Sequence, residues 1–345
     1  MSDIIYRMFR LFVSIALLSA SVSATLIDRF YAWAETHKIA IPEGEHELLH
    51  LLTNWKNNDI IIEETNAKNL SYTLGHNAFS GMSSEEFAEH MHFGLIITKS
   101  ASLRGVSASV DVSLPTSVDW RTQGVVSEIQ DQGSAGTCYS FGTSCAVESA
   151  MAIKTGVLTK LSEQQIVDCS TIKNGGPNFG IGGGTIAPTF EWIGKTDGLC
   201  SEEAYPYVSG TTGKTGTCQK TCTKVSGSDV QSVVNVKPNS DADMMTALSK
   251  TVVSIAIEAD QSSFQLYKSG VFTGKCGTTL DHAVALVGYG TMDGLDYYIL
   301  RNSWGQWAMG GYMLIGRGND PATGKPYNNG NGQCGLLMEA SYPVM

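Results

Sequence analysis

The chain has 345 residues, of which 42% are hydrophobic and 16% charged, and this composition is typical of a globular protein and excludes a disordered one. Its formal net charge of −10 argues against a nucleic acid as the main partner, because phosphate binding requires a basic surface. At roughly 150 residues per compact unit, the length allows about two such units.

The first 24 residues have the layout of a secretory signal peptide. Arg7 and Arg10 precede a short apolar run that ends in small residues, and we expect cleavage after Ala24. The apolar run is shorter than the roughly 20 residues that a membrane-spanning helix needs. We therefore expect a mature protein that enters the secretory pathway, has no membrane anchor, and works in a lysosome or vacuole or outside the cell, where disulfides persist.

Residues 25–113 form a region of helical character that ends in a linker. Helical patterning covers Leu26–Trp33 and Glu45–Asn66. The region closes with TKSASLRGVSASVDVS, a Ser-rich stretch of the kind in which proteolytic nicking is common. Residues 114–345 follow, with most of the glycines, several β-branched runs and few helices, which predicts an α+β body.

Two helices of this body can be predicted with their ends. The first covers Cys138–Lys154 and is stopped by Gly156. The second lies in LSEQQIVDC, where Ser162 is the expected N-cap and acidic and amide residues follow it.

A β-hairpin is predicted near the C-terminus. The strand-like runs HAVALVGYG and DYYILRNSWG flank Asp293-Gly294, a hairpin turn signal. With the hairpin centred near Met292, residue 282 lies opposite residue 302, so His282 should be close to Asn302. An amide oxygen beside a histidine fixes its tautomer and orientation, as the base of a nucleophilic site requires. The alternative is a buried histidine satisfied by a polar neighbour.

The distribution of cysteine and histidine narrows the choice of a histidine that could act together with a cysteine. All eight cysteines lie at or after Cys138, and six of the seven histidines lie before residue 93. His282 is therefore the histidine that shares the C-terminal region with the cysteines. Cys138 stands at a predicted helix start, where the helix dipole and free N–H groups stabilise a thiolate. Gln132 and the Cys138 backbone N–H can together donate to a developing oxyanion. Position alone leaves open that Cys138 is a disulfide half or a buried thiol.

These residues resemble the papain-like cysteine proteases of the cathepsin L type. QGSAGTCYSF is similar to the family's nucleophile segment, LDHAVALVGYG to its histidine strand and RNSWG to its asparagine loop, and VDWR, LSEQQIVDC, AYPY and CGL…SYPV match in the same order. The resemblance implies a papain-like two-domain fold, with a helical left domain, a β-barrel-like right domain and the active site between them. It implies a monomeric protease of protein and peptide substrates, without cofactor or metal.

The resemblance also implies roles for individual residues. Cys138 would be the nucleophile, His282 the base, Asn302 its orienting residue and Gln132 the oxyanion donor, with Trp304 covering the Asn–His hydrogen bond. Gly183 and Gly184 would present their backbone to an extended substrate. A pocket would accept the second residue before the scissile bond, with a carboxylate at its floor, Glu339, that accepts arginine. The other expected lining residues are Thr185, Ile186, Ala256, Leu280 and Ala283.

Residues 25–113 resemble the family's inhibitory propeptides. The interspersed pattern E-x3-R-x3-F-x2-N-x3-I-x3-N is met at Glu47, Leu51, Trp55, Asn58, Ile62 and Asn66, with Leu replacing Arg and Trp replacing Phe. The later pattern G-x-N-x-F-x-D ends in Gly81 and lacks its Asp. We expect the leader to cover the cleft as an intramolecular inhibitor, with maturation near Leu114. The six leader histidines are a hypothetical acid trigger, and ordinary solvated histidines are the alternative.

The resemblance implies the disulfides Cys169–Cys218 and Cys276–Cys334. The family's third bridge has Ala135 and Ile181 at its two ends, so both halves are missing together. Cys145 lies seven residues past Cys138, on the same helix face, and is expected to be buried. Cys200 and Cys222 could form an extra bridge.

Two alternative functions remain. A non-catalytic papain-like scaffold would typically lack the nucleophile, which is present here, although Tyr139 replaces the usual Trp. The run His46-Glu47-Leu-Leu-His50 fits the zinc-protease motif. Glu47, however, is also the first residue of the leader pattern, and no clear third ligand accompanies the pair.

Overall fold

The computed structural model describes residues 20–97 and 113–345. The predicted signal peptide lies almost wholly outside these ranges, and so does most of the predicted linker. Residues 20–97 contain three helices and one strand: α1 (Ala20–Thr36), α2 (Glu45–Asn66), β1 (Tyr72–Leu74) and α3 (Ser84–Met91). Helix α1 therefore runs across the predicted cleavage point after Ala24.

The body combines short helices with a sheet, as the predicted α+β class requires. Its helices are α4 (Cys138–Thr155), α5 (Glu163–Cys169), α6 (Ala187–Lys195), α7 (Ser209–Thr212), α8 (Asp241–Leu248) and α9 (Ser262–Gln265). Its strands are β2 (Val118–Asp119), β3 (Ser232–Asn235), β4 (Val253–Ile257), β5 (Tyr267–Phe272), β6 (His282–Met292), β7 (Leu295–Arg301), β8 (Tyr312–Gly316) and β9 (Ala340–Val344).

Helix α4 forms the centre of the left domain. Every residue from Cys138 to Ala152 is buried, including Glu148, whose carboxylate accepts a hydrogen bond from Lys160 Nζ at 2.9 Å. The helix ends where Gly156 adopts φ 78°, a left-handed conformation that glycine reaches without strain. In α5 the Ser162 side chain accepts a hydrogen bond from the Gln165 N–H at 2.9 Å. The predicted ends of both helices are therefore confirmed.

The strands of the described residues follow the order β1-β5-β8-β7-β6-β4-β9-β3, with β2 paired to β6. β4 and β6 are buried along almost their whole length, as strands covered on both faces must be. The leader adds β1 to the free side of β5, with Tyr72 opposite Gly270. This three-residue strand was not predicted, because a run so short carries no readable period.

The predicted hairpin is present, but its predicted register is wrong by two residues. The turn lies at Asp293-Gly294, so pairing starts at Met292 and Leu295 rather than around Met292. A β-bulge then falls between Leu286 and Gly288, and beyond it Ala285 pairs with Arg301. Continuing this register places residue 302 opposite residue 284, not 282.

The bulge determines whether Asn302 points to the same face of the sheet as His282. Successive side chains of a strand point to opposite faces, and one inserted residue reverses that alternation. Without the bulge Asn302 would oppose Ala285 and point away from His282. With it, His282 and Asn302 lie diagonally on the same face of the sheet, so the expected proximity holds even though the register differs.

Candidate active site

The first residue of α4 lies against the first residues of β6. Gly142 allows this close approach, since a Cβ there would lie 3.3 Å from the Val284 carbonyl oxygen. The Cys138 side chain consequently reaches the backbone of Ala283, the residue that follows His282. The predicted nucleophile and the predicted base are therefore brought to the same place by helix–sheet packing.

His282 is held by Asn302 and covered by Trp304. The Nε2 atom of His282 lies 2.8 Å from Asn302 Oδ1. The indole of Trp304 stacks on the imidazole with ring centroids 4.9 Å apart and planes at 26°. Since Asn302 Oδ1 can only accept, Nε2 carries the proton in the neutral ring, and the lone pair sits on Nδ1. Among the described residues, the buried Nδ1 has no hydrogen-bond partner.

Gln132 is fixed by a second side chain that the sequence did not single out. The Ser303 hydroxyl donates to Gln132 Oε1 at 2.7 Å, which leaves the amide nitrogen as the outward donor. One N–H of Gln132 Nε2 donates to the Ala135 carbonyl at 3.0 Å, and the other N–H remains available as a donor. Ser303 follows Asn302 directly, and its place in the asparagine loop was the available signal.

A segment of the leader lies in the cleft. The carbonyl of Gly94 accepts from the Gly184 N–H at 2.7 Å, and the Ile96 N–H donates to the Gly184 carbonyl at 2.7 Å. This is a parallel bridge centred on Leu95. Gly183 permits the approach, because a Cβ there would lie 2.3 Å from the Gly94 carbonyl oxygen.

Leader side chains also lie close to His282 and Trp304. The ring of Phe93 lies 5.5 Å from His282 and 6.3 Å from Trp304, centroid to centroid. Backbone hydrogen bonding from Gly94 reaches the Cys138 thiol. The segment from Phe93 to Ile97 was not predicted to occupy the cleft, since five residues without period or charge give no sequence signal.

Burial in the presence of the leader shifts the pKa values of Cys138 and His282. Desolvation raises the pKa of Cys138 to about 11, against smaller opposing effects of backbone hydrogen bonds. Desolvation also lowers the pKa of His282 to about 4, although the hydrogen bond to Asn302 opposes this. Both groups are therefore neutral at physiological pH in this covered state.

Four of the predicted pocket residues belong to, or pack against, the buried hydrophobic cluster that contains one leader side chain. Leu95 belongs to the same buried cluster as Ile186, Ala256 and Ala283, and Leu280 packs against that cluster while partly exposed. The backbone N–H and the hydroxyl of a further predicted lining residue, Thr185, both donate to Asn178 Oδ1.

Glu339 is joined through its backbone to one of the predicted lining residues. Its carbonyl accepts from the Ala256 N–H at 3.0 Å, which fixes its backbone beside the lining residues. Burial raises the pKa of its carboxyl to about 7.

Three disulfides link the cysteines of the body, at Cys169–Cys218, Cys200–Cys222 and Cys276–Cys334. Cys138 and Cys145 are free and buried. Where the family's further bridge is missing, the Gly136 N–H donates to the Ile181 carbonyl at 3.1 Å. Tyr139, in place of the usual Trp, donates its hydroxyl to the Gly180 carbonyl at 3.1 Å.

The residues of the zinc-protease motif lie away from this cleft, on α2. His46, Glu47 and His50 are exposed, and His50 Nε2 contacts Glu86 Oε1 at 3.0 Å. Within residues 20–97 and 113–345, no group of three His, Cys, Asp or Glu side chains is arranged to hold a metal ion. Over the same ranges, no helix is long and apolar enough to cross a membrane.

Known families match both parts of the chain. The model described as "Papain family cysteine protease" matches residues 114–344, and that of the "Cathepsin propeptide inhibitor domain (I29)" matches residues 30–87. The probable cysteine protease RD21B of Arabidopsis thaliana is 43% identical over 84% of this chain, which spans 60% of that protein's length. The KDEL-tailed cysteine endopeptidase CEP2 of the same plant is 38% identical, with 93% and 86% covered.

Solved precursor structures share the fold. Recombinant stem bromelain precursor superposes with a TM-score of 0.78 at 32% identity, over 93% of this chain and 99% of that one. Digestive procathepsin L 3 from the larval midgut of Tenebrio molitor gives the same TM-score, identity and coverage. The chain belongs to the papain family of cysteine proteases and carries that family's propeptide inhibitor domain.

Proposed function

We propose that the protein is a cysteine endopeptidase made as a zymogen, in which Cys138 and His282 form a thiolate–imidazolium pair. The observation that carries the proposal is the arrangement of His282: Nε2 is held by Asn302, the buried Nδ1 has no partner among the described residues, and the Cys138 thiol reaches the backbone of the next residue, Ala283. A base held in this way has Nδ1 available to accept the proton of the thiol.

The reaction follows from these positions. The Cys138 Sγ–H proton moves to His282 Nδ1, and the sulfur attacks the substrate carbonyl carbon. The resulting oxyanion accepts hydrogen bonds from Gln132 Nε2 and from the Cys138 backbone N–H, which has no intrahelical acceptor at the start of α4. His282 then returns its proton to the leaving amine, which departs and leaves a thioester. Water attacks the thioester with His282 as base, releasing the acid and restoring the thiol.

The leader suppresses the reactivity of Cys138 and His282 in two ways. Its backbone fills the cleft at Gly184, where an extended substrate would lie. Its burial of the site also favours the neutral thiol and the neutral imidazole. Removing the leader admits water, and the loss of desolvation favours the charged pair.

We propose that residues 1–24 direct secretion, residues 25–113 are the propeptide, and residues 114–345 are the mature enzyme, which acts as a monomer on proteins and peptides. Three disulfides suit an oxidising compartment or the outside of the cell. Acid-favoured degradation in a lysosome or vacuole, or in the extracellular space, fits a leader that is released at low pH. N-terminal sequencing after acid treatment tests these boundaries, and a mature chain starting far from Leu114 contradicts them.

Covalent labelling tests the proposed mechanism. After acid treatment, an epoxysuccinyl inhibitor should attach to Cys138 and abolish peptide hydrolysis. A Cys138→Ser variant should give neither labelling nor hydrolysis, and a chelator should leave the wild-type activity unchanged. Hydrolysis that survives in Cys138→Ser, or that a chelator abolishes, overturns the proposal.

A further inference from the structure

The segment from Gln132 to Cys138 carries the side-chain oxyanion donor at one end and the nucleophile at the other. Its middle lacks the bridge that the family resemblance leads one to expect, because Ala135 and Ile181 stand at those places. Between these two places the Gly136 N–H donates a hydrogen bond to the Ile181 carbonyl at 3.1 Å. A single backbone hydrogen bond constrains the segment much less than a covalent cross-link does.

The hydroxyl of Tyr207 spans both ends of this segment. It donates to the Gln132 carbonyl at 2.8 Å. It also lies 2.7 Å from Thr137 Oγ1. A phenol has one proton, so Thr137 must be the donor in the second contact. One oxygen atom thus sets the distance between the backbone of Gln132 and the residue before Cys138.

Tyr207 is itself held firmly. Its ring packs edge-on against Phe141 of α4, with centroids 4.9 Å apart and planes at 81°. Its backbone N–H donates to Glu202 Oε1 at 2.7 Å. Burial raises the pKa of the phenol well above its ordinary value of 10.0, so the hydroxyl keeps its proton.

We infer that Tyr207 is a positioning residue for the oxyanion site, and that its hydroxyl takes over the bracing that the missing disulfide would give. The inference rests on the proposed function, in which Gln132 and the Cys138 N–H stabilise the oxyanion. Tyr207 touches neither substrate nor reacting atoms. It acts through the spacing of Gln132 and Thr137, which determines whether both donors point at the same oxygen.

The test compares two tyrosines of the same motif in the full-length, acid-activated protein. Tyr207→Phe removes the brace. Tyr205→Phe is the matched control, because its hydroxyl is buried and donates to Asp168 Oδ2 at 2.8 Å, away from the segment. We expect kcat to fall about tenfold in Tyr207→Phe with KM little changed, since a misaligned donor weakens the transition state more than the bound substrate. Tyr205→Phe should keep kcat within about twofold.

A rescue separates positioning from general loss of stability. The double substitution Ala135→Cys and Ile181→Cys should form the missing bridge. Introduced into Tyr207→Phe under oxidising conditions, it should restore most of the lost kcat, and reduction should abolish the rescue.

Three results would overturn the inference: unchanged kcat in Tyr207→Phe, an equal loss in Tyr205→Phe, or no recovery in a variant whose bridge is shown by mass to have formed. Failure of the proposed function gives a different result, because then Cys138 in the wild-type protein is not labelled at all.

Discussion

Burial moves the pKa values of the reacting residues in opposite directions. It raises that of the Cys138 thiol and lowers that of the His282 imidazole, and both changes oppose charge separation. In the proposed mechanism, the leader therefore suppresses the reaction by removing water as well as by occupying the site. The same physics applies to Glu339, whose buried carboxyl has its pKa raised to about 7.

Replacing Glu339 by Gln should change substrate preference. In the pocket expected from the family resemblance, the carboxylate would pair with an arginine as the second residue before the scissile bond, and the amide would not. We expect kcat/KM for an Arg-Arg substrate to fall about tenfold and that for a Phe-Arg substrate to stay within about twofold. Since the carboxylate protonates as the pH falls, the wild-type preference for Arg should weaken toward acid pH. Equal losses on both substrates, or no detectable Arg-Arg hydrolysis by the wild-type enzyme, would reject this role.

At the scale of elements, Asp59 joins parts of the leader that are distant in sequence. Arg29 of α1 contacts its carboxylate at 2.7 Å, and His76 Nε2 lies 3.1 Å from its Oδ1. The imidazole of His76 stacks on Trp55 of α2, with centroids 4.5 Å apart. Its Nδ1 is buried and without a hydrogen-bond partner in the described part of the chain. A proton on Nδ1 would therefore have nothing to donate to.

The direction of the pH effect follows from that environment. Burial is the largest influence and lowers the pKa of His76 below 6.5; Asp59 opposes it, and Arg29 and His37 add to it. Below pH 6.5 the unfolded leader therefore binds more protons than the folded one. The stability of the folded leader should fall as the pH drops from 6.5 toward the pKa of the folded state, and then level off. Burial also lowers the pKa of His90, as it does that of His76.

His76→Phe should shift maturation to more acidic pH. The substitution keeps an aromatic ring on Trp55 but removes the group that takes up the proton. The matched control is His46→Gln, which changes an exposed histidine of the same leader. Processing of the purified zymogen, followed by gel electrophoresis across a pH series, gives the midpoint. An unchanged midpoint in His76→Phe, or an equal shift in the control, contradicts the hypothesis.

At this scale, the sequence predicted the elements whose signals lie within one short stretch of the chain. The helix after Cys138 was predictable because Gly156 and the apolar run lie in one stretch. The hairpin register was missed because the prediction centred the hairpin at Met292 rather than at Asp293-Gly294, and the bulge at residue 287, which changes the register by one residue, depends on packing that no single strand reveals. Strand β1 and the segment at Leu95 were missed, since their partners lie far away in the chain and pairing is a tertiary event. The roles of Ser303 and Tyr207 likewise depend on contacts across the fold.

At the scale of the whole molecule, covalent links divide the body into constrained loops. The bridges span sequence separations of 49, 22 and 58 residues. In a loop-entropy estimate, closing a 22-residue loop contributes about 3 kcal/mol to the free energy of unfolding, and a 58-residue loop about 4 kcal/mol.

Thiol counting checks the extra bridge. The urea-unfolded, unreduced zymogen should react with iodoacetamide at Cys138 and Cys145 only, and all eight cysteines should react after reduction. The double variant Cys200→Ser, Cys222→Ser should then lose about 3 kcal/mol of unfolding free energy in a urea titration. Four reactive thiols before reduction would show that Cys200 and Cys222 are not joined.

The pairing of β1 with β5 also has a consequence for the enzyme after maturation. While the leader is attached, Tyr72 and Thr73 cover the outer side of β5, and the Ser71 hydroxyl donates to the Val271 carbonyl. Once the leader dissociates, β5 becomes an uncovered edge whose main-chain donors and acceptors are open to any extended chain. Activation should therefore expose a strand edge that can pair with another extended chain. We expect released leader and neighbouring molecules of the mature protein to compete for that edge in proportion to their concentrations.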